Sequence, residues 1–231
     1  MNIAIIPARG GSKRIPKKNI KLFDQKPAIA YSIEAIKKTN LFKKIIVSTD
    51  DYKIAKIANN LGAETPFIRP KNISDDHSSS GLVVKHAIEF FKTKKLNYKN
   101  ICCVYPVSPF ISHLDIKKAY KILTSDKWSF VFTAAKSSFS IERSFSLNNN
   151  KSVKMNFPKN YHKRSQDLNH SFYDAAHFYW GKSNAWMNKD NLFDKYSTFI
   201  EIPYWRAIDI DTIEDWKNAE FINKYLHKLK K

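Results

Sequence analysis

The sequence predicts an α/β fold with a mainly parallel sheet flanked by helices. Short apolar runs alternate with stretches whose apolar residues recur at helical spacing. The first apolar run feeds directly into a loop of Gly, Ser, Lys and Arg, as strands do where an α/β sheet meets its ligand. The 231 residues, 43% hydrophobic and 14% aromatic, suffice for one substantial core.

Ile3 to Pro7 reads as the first strand. Pro27 to Thr39 carries Ile29, Ile33 and Ile36 on one face, with Pro27 suited to a helix start. Ile45 to Thr49 is a second buried strand ending in Asp50-Asp51, and Tyr52 to Leu61 a helix closed by Gly62. Ser79 to Phe91 sets Val83, Val84, Ala87, Ile88 and Phe91 on one face. Ile101 to Tyr105 is the third strand, Ile116, Ala119, Tyr120 and Leu123 mark the next helix, and Phe130 to Ala134 is the fourth strand. Alternation of this kind implies right-handed βαβ crossovers. Ligands then belong at the strands' carboxyl ends, in the loops after Pro7, Thr49, Tyr105 and Ala134.

The pattern breaks over 136–197, where helical periodicity fades and aromatic residues cluster. This segment reads as an insertion, a lid or dimerisation arm, in a single domain 1–231 whose core is 1–135 and 198–231. The sheet pattern resumes at Phe199 to Pro203 and Ala207 to Ile210. Ile213 to Lys228 closes the fold as a helix with a cationic end, through Lys230-Lys231.

Composition excludes several classes. Apolar runs stay far short of the ~20 residues that span a bilayer, and the start of the sequence lacks signal-peptide features. A cytoplasmic protein without a membrane partner is the expectation. Cys102 and Cys103 are adjacent, point to opposite sides of a strand, and read as small hydrophobes. Forty Lys and Arg against 21 Asp and Glu give a formal charge of +19, a field that attracts polyanions. A nucleic-acid-binding protein is the rival from another class, but the lysines are scattered and no binding motif accompanies them, so no nucleic-acid partner is expected.

The strongest local signal is Pro7-Ala8-Arg9-Gly10-Gly11-Ser12-Lys13-Arg14-Ile15-Pro16-Lys17-Lys18-Asn19. Two glycines let backbone approach a ligand, consecutive amides can cradle an anion, and the basic side chains suit a triphosphate. The second is Ile208-Asp209-Ile210-Asp211. Residues i and i+2 of a strand share a face, so two carboxylates would converge as oxygen ligands for Mg²⁺. Asp211 as a helix cap, with Glu214 completing a capping box, is the equal alternative, and the two are compatible. The third is Arg164-Ser165-Gln166-Asp167-Leu168 followed by Tyr173 to Gly181. Arg164 is a fork donor suited to a carboxylate; the aromatics wall a sugar pocket or build a core, and core is the better reading for most.

Together these residues resemble the CMP-nonulosonate synthetases, also called CMP-sialic acid synthetases. Ala8 to Lys13, Pro16 to Asn19, Ile46 to Asp50, Ser74-Asp75, Pro106 to Pro109 and Ile208 to Asp211 follow the family's motifs in order across the chain. Tyr105, where many members carry Gln, and the Arg164 to Asp167 run look most like the branch acting on pseudaminic acid. Ala176-His177 departs from that branch's Gly-Gln. The resemblance implies a Rossmann-like nucleotidyltransferase that joins CTP and an acidic nine-carbon sugar into a CMP-sugar and pyrophosphate, for cell-surface or flagellar glycans. It also implies a homodimer built through the insertion. Ala8, Arg9, Gly10, Gly11, Ser12, Lys13 and Lys18 would bind the triphosphate, with Asn19, one of Ser78, Ser79 or Ser80, and Tyr105 near the nucleoside. Asp209 and Asp211 would hold Mg²⁺ and, with Arg9 and Lys18, form the catalytic set. Arg164 and Gln166 would take the sugar's carboxylate and polar groups, Asp174 would accept from an amide or hydroxyl, and Phe178 and Tyr179 would be walls. N-acetylneuraminate and 3-deoxy-manno-octulosonate cytidylyltransferases are the rival members of this fold.

Overall fold

The computed structural model describes residues 1–125, 127–188 and 191–229, which leaves Lys230 and Lys231 of the basic tail outside. Its centre is a six-stranded sheet of order β10-β6-β9-β5-β1-β4. The strands are β1 (Asn2–Pro7), β4 (Lys44–Ser48), β5 (Asn100–Val104), β6 (Phe130–Lys136), β9 (Phe172–Lys182) and β10 (Ser197–Glu201). Two small antiparallel hairpins lie outside it, β2 (Leu22–Phe23) with β3 (Lys26–Pro27) and β7 (Phe145–Leu147) with β8 (Val153–Met155). The helices are α1 (Ala28–Thr39), α2 (Tyr52–Asn60), α3 (Ser80–Thr93), α4 (His113–Ser125), α5 (Ser183–Asn188) and α6 (Ile213–Leu229).

The α/β architecture is the one the periodicity predicts: β1 is parallel to β4 and β5, and β10 to β6. Side chains alternate between two cores. Ala4, Ile6 and Cys102 pack on one side of the sheet, and Ile3, Ile5 and Cys103 on the other. Both thiols are free and fully buried, and burial pushes that of Cys103 up to about 12, so they serve as packing atoms. Helix ends follow local chemistry. Asp51 caps α2 by accepting from the Lys53 and Ile54 amides at 2.6 and 3.1 Å, and Gly62 takes φ +87° just past its end.

Two sequence expectations change. Residues 172–182, assigned to the insertion, form β9, which runs antiparallel between β5 and β6 in the middle of the sheet. A strand buried on both faces carries no alternation, so its aromatics read as an irregular cluster. Ala207 to Ile210 pairs with no strand, so the expected second late strand is absent.

An irregularity in β9 decides which of its side chains reach the open side of the sheet. Pairing with β6 shifts register between Phe132 and Ala134, and Ala176 adopts φ 51°. The bulge reverses the in/out parity of the strand. Ala175, Phe178 and Trp180 thus share one core, while Tyr179 faces the other side.

Gly181 of β9 lies under Trp186 and Phe130. A Cβ there would stand 2.5 Å from the Trp186 indole nitrogen and 2.6 Å from the Phe130 ring. Gly181→Ala is expected to destabilise the fold by about 1–3 kcal/mol through overpacking. An unchanged urea midpoint would reject that packing.

Candidate active site

Three aspartates hold five cations around one concave wall. The loop leaving β1 is shaped by its neighbours. The Gly10 amide donates to Asp50 Oδ1 at 2.8 Å, and a Cβ on Gly10 would sit 2.9 Å from the Asp51 side chain, so this close approach needs glycine. Ala8 is buried, with its amide on the Ser48 carbonyl at 2.9 Å. The Ser12 amide turns back to the Gly10 carbonyl at 3.0 Å. With the amides of Gly10 and Ser12 committed, the loop presents side chains more than a backbone nest. Asn19 is buried and donates to the Arg9 carbonyl at 2.8 Å, which closes the loop on itself.

Arg9 and Lys13 both pair with Asp76, each at 2.5 Å. Those contacts, Lys13 first, hold the Asp76 carboxyl below the usual carboxylate range. Arg14 and Lys18 both pair with Asp211, at 2.8 and 3.1 Å, and Lys18 also donates to the Ile210 carbonyl at 2.6 Å. Arg69, only 4% exposed, stands 3.8 Å from Asp50 as an ion pair too long for a hydrogen bond, and its Nε and Nη2 have no partner. A buried guanidinium with idle donors at the floor of a cleft is built for an acceptor from outside.

Packing brings the loop to the late aspartates. Ile15 and Ile210 are buried in one cluster with Phe23, Phe110 and Trp216. Arg206 pins the other end of the segment, with Nη2 on Asp115 Oδ2 at 2.5 Å and on the Phe110 carbonyl at 2.9 Å. His177, buried in β9, contacts the Arg206 carbonyl at 2.9 Å, and burial lowers its pKa to about 4, so it stays a neutral strut. The cap of α6 is also not the expected one. Thr212 and Asp215 form the reciprocal pair, and Asp215 Oδ2 also accepts from the Asp211 amide at 3.1 Å. Asp211 is thereby left to the cleft, and Glu214 takes no part in the box.

The cleft has two lobes. The first, about 270 Å³, is lined by Arg9, Ser12, Lys13, Lys18, Asn19, Arg69 and Asp211 among others. The second, about 430 Å³, takes Ser79, Asp174, Tyr179, Trp186 and Phe193. Asp76, Ser78, Ser80 and Tyr105 line both. The three serines have separate tasks. Ser79 caps α3 by accepting from the Leu82 amide at 3.3 Å, Ser78 donates to Asp75 at 2.6 Å, and Ser80 donates to the Tyr105 hydroxyl at 3.1 Å. Tyr179 donates to Asp174 through a short contact. These two residues, five apart, meet because of the β9 bulge. Burial pushes the phenols of Tyr105 and Tyr179 upward, which keeps both as neutral donors.

Asp209 lies beside the cleft. It is exposed, yet the surrounding protein mass, and then Asp211, push its carboxyl above the ordinary aspartate value. Among the described residues no three His, Cys, Asp or Glu side chains gather to hold a metal. Two neighbouring carboxylates, one of them uncompensated, suit a hard cation that takes its remaining ligands from phosphate and water.

Other expected residues lie elsewhere. Phe178 is fully buried on the far side of β9, so it is core and not a wall. Arg164 and Gln166 sit in an exposed turn between β8 and β9, where Arg164 bonds Asp167 at 2.8 and 3.1 Å, and they line neither lobe. Ala8, Gly10 and Gly11 do not line the first lobe themselves and serve as the chain between Pro7, Arg9 and Ser12, which do. Sequence reasoning missed Arg69 and Asp76. Arg69 stands alone between Ile68 and Pro70 with no motif, and Asp76 had only its place before the serines as a signal.

Comparison with known proteins adds the following. A family model described as Cytidylyltransferase matches residues 3–226. The chain is 41% identical over 227 residues to the pseudaminic acid cytidylyltransferase of Campylobacter jejuni serotype O:2, covering 98% of both chains. It is 28% identical over 233 residues to the N-acylneuraminate cytidylyltransferase of Escherichia coli O18:K1:H7, covering 96% of this chain and 54% of that one. Among solved structures, CMP:2-keto-3-deoxy-manno-octonic acid synthetase complexed with CTP superposes with a TM-score of 0.71 at 14% identity, over 97% of this chain and 98% of that one. The 4-diphosphocytidyl-2C-methyl-D-erythritol synthase of Anaerococcus prevotii gives 0.61 at 16% identity, over 98% of each. At these identities the structural matches speak for the fold.

The raised Asp209 pKa has a stability consequence. The folded state holds this proton more strongly than the unfolded chain does, so the ionised group destabilises the fold above the raised pKa. That cost disappears as pH falls below the unfolded value near 3.8. Asp209→Asn is therefore expected to raise the melting temperature of the metal-free protein at neutral pH, by an amount that shrinks on acidification. Scanning fluorimetry in a chelator checks this, and an equal or lower melting temperature counts against it.

Proposed function

The chain belongs to the cytidylyltransferase family, and from that premise we propose that it transfers CMP from CTP to pseudaminic acid, releasing pyrophosphate. The observation that carries the reading is a cationic lobe opening, past Ser80 and Tyr105, into an aromatic lobe that holds Asp174 and shares Asp76. The choice of sugar rests on the similarity to the Campylobacter jejuni enzyme.

In this reading the triphosphate lies against Arg9, Lys13, Arg14 and Lys18, with Arg69 and Ser80 offering donors to the remainder of the nucleotide. The acceptor occupies the second lobe, where Asp174 takes a hydrogen bond from an amide or hydroxyl and Tyr179 fixes that carboxylate. The anomeric hydroxyl attacks the α-phosphorus in line, and the bond to the bridging oxygen of pyrophosphate breaks. The side chains act by placing the two reactants and neutralising charge. Asp209 and Asp211 would hold Mg²⁺, which supplies further charge neutralisation on phosphate oxygens.

The hairpin β7–β8 and its flanks expose Phe139, Phe145, Leu147 and Val153, each at least 64% accessible. Apolar groups on an arm of this kind suit a second copy of the chain. A homodimer would bring Arg164 and Gln166 from one arm to the partner's acceptor lobe, which explains why they line neither lobe of their own chain.

Pyrophosphate release with CTP and a panel of sugar acids tests the assignment. Turnover is expected with pseudaminic acid, and N-acetylneuraminic acid should be used ~10²-fold less well, because an apolar wall rejects added hydroxyls only weakly. Equal or better use of N-acetylneuraminic acid overturns the sugar assignment, and no CTP turnover with any sugar overturns the whole reading. Lys18→Ala should weaken CTP binding and slow turnover together, and Asp209→Ala should cost ~10²-fold or more in kcat through lost metal ligation. Near-normal turnover at saturating Mg²⁺ would remove Asp209 from the metal site. Mixing Asp211→Ala subunits with Arg164→Ala subunits should restore part of the activity. No recovery after proven exchange excludes shared sites.

A further inference from the structure

Helix α6 has two apolar faces. The inner one is ordinary: Trp216 and Ala219 are buried, and Ile222 and Leu226 pack beside them. The outer one is a single i, i+4 ridge in which Ile213, Phe221, Tyr225 and Leu229 are 44%, 74%, 57% and 65% exposed. Lys217 stands within the ridge, and Lys224 and Lys228 run along its flank, all exposed. None of the three is paired with an acid among the described residues. The charge is segregated along the axis as well. Glu214, Asp215 and Glu220 fall in the first half, whereas from Phe221 onward the sequence has four lysines and no acid.

We propose that this ridge docks on an anionic phospholipid bilayer, with Phe221, Tyr225 and Leu229 entering the headgroup boundary and the lysines resting on lipid phosphates. The pairing of an apolar ridge with a basic flank is the chemistry of a helix lying in a membrane interface. Each lysine near such a surface adds attraction, and the net charge of +19 draws the whole molecule toward it. Two rival occupants fit less well. A second copy packed on the same ridge would bring its own lysine rows against these. A nucleic acid would use the lysines but leave Phe221 and Leu229 without a partner. No helix among the described residues is long and apolar enough to cross a membrane, so the contact is peripheral. The expectation of no membrane partner rests on span length, and the ridge shows only once the fold reveals which face of α6 is left open. The inference is independent of the sugar.

Vesicle flotation of the full chain tests it, using phosphatidylcholine with and without phosphatidylglycerol at low and high salt. Binding is expected only with phosphatidylglycerol and should fall at high salt. The triple variant Lys217→Gln, Lys224→Gln, Lys228→Gln should weaken it by about 100-fold, and Phe221→Ser with Tyr225→Ser by about tenfold or more. CTP turnover should be retained in both, which shows that the fold survives. Absence of wild-type binding overturns the proposal. So does full binding by the Phe221, Tyr225 variant, which would mean that charge alone acts. A fall in solution mass of that variant by light scattering would make the ridge a subunit contact. Loss of duplex RNA binding in the lysine variant, with vesicles ignored by the wild type, would make it a nucleic-acid surface.

Discussion

Five cations cannot share one wall unless anions stand between them, and that balance is the constraint on which the cleft depends. Arg9, Lys13, Arg14, Lys18 and Arg69 converge from the loop after β1 and from a segment bridged to Thr49, just past β4. Asp76 and Asp211 each take two of them and Asp50 stands beside Arg69. Each aspartate comes from a different part of the chain, so the balance also fixes which segments meet. Lys18 ties the first loop to a residue 193 positions away. Exposed ion pairs of this sort contribute little stability singly. Their effect here is positional, and the stabilisation comes from the apolar cluster beneath them, where Ile15 and Ile210 are both 1% exposed.

The second lobe obeys a different rule. Its two β9 groups, Asp174 and Tyr179, are brought together by one defect in that strand. Without the register shift at Ala176, Asp174 and Tyr179 would point to opposite sides of β9, since five is an odd number of residues. A non-glycine residue at φ 51° costs conformational energy, and its surroundings have to hold it there. His177 helps by bonding the Arg206 carbonyl from a site where burial keeps the imidazole neutral. The same contact steadies the segment that carries Asp209 and Asp211. One irregular strand thus shapes both the acceptor lobe and the approach of the late aspartates.

Much of this is legible in the sequence. The alternation of β1, α1, β4, α2, α3 and β5 follows from apolar spacing alone, to within a residue or two at each end, and α4 is marked by its apolar residues without bounds. The basic loop, the serines and the Asp209–Asp211 pair are also visible, because motif and local charge are properties of neighbouring residues. β9 is hidden, since a central antiparallel strand buried on both faces loses its period. Ala207 to Ile210 looks like a strand because Ile208 and Ile210 alternate with acids, but it is held by Arg206, Lys18 and the α6 cap without any ladder bonds. Arg69 is invisible for the opposite reason: its significance lies in burial, and a single arginine before a proline announces nothing. Phe178 and Tyr179 look alike in sequence, and only the bulge decides that one is core and the other faces the cleft.

The same charge balance bears on how a polyanion enters. Arg9 and Lys13 are already satisfied by Asp76, so a phosphate chain arriving there competes with a carboxylate before it gains full contact. Arg69 has no such competitor within hydrogen-bonding distance. The deep guanidinium thus offers its donors without exchange, whereas the outer cations offer theirs only against Asp76. Asp76 sits in the segment that also carries Ser78 and Ser80, and all three line both lobes. Displacing the Asp76 carboxylate cannot leave the second lobe untouched, because Asp76 itself lines it, two residues from Ser78 and four from the Ser80 hydroxyl bonded to Tyr105. The electrostatics of the first lobe and the shape of the second are thus one physical problem, solved by a stretch of chain five residues long.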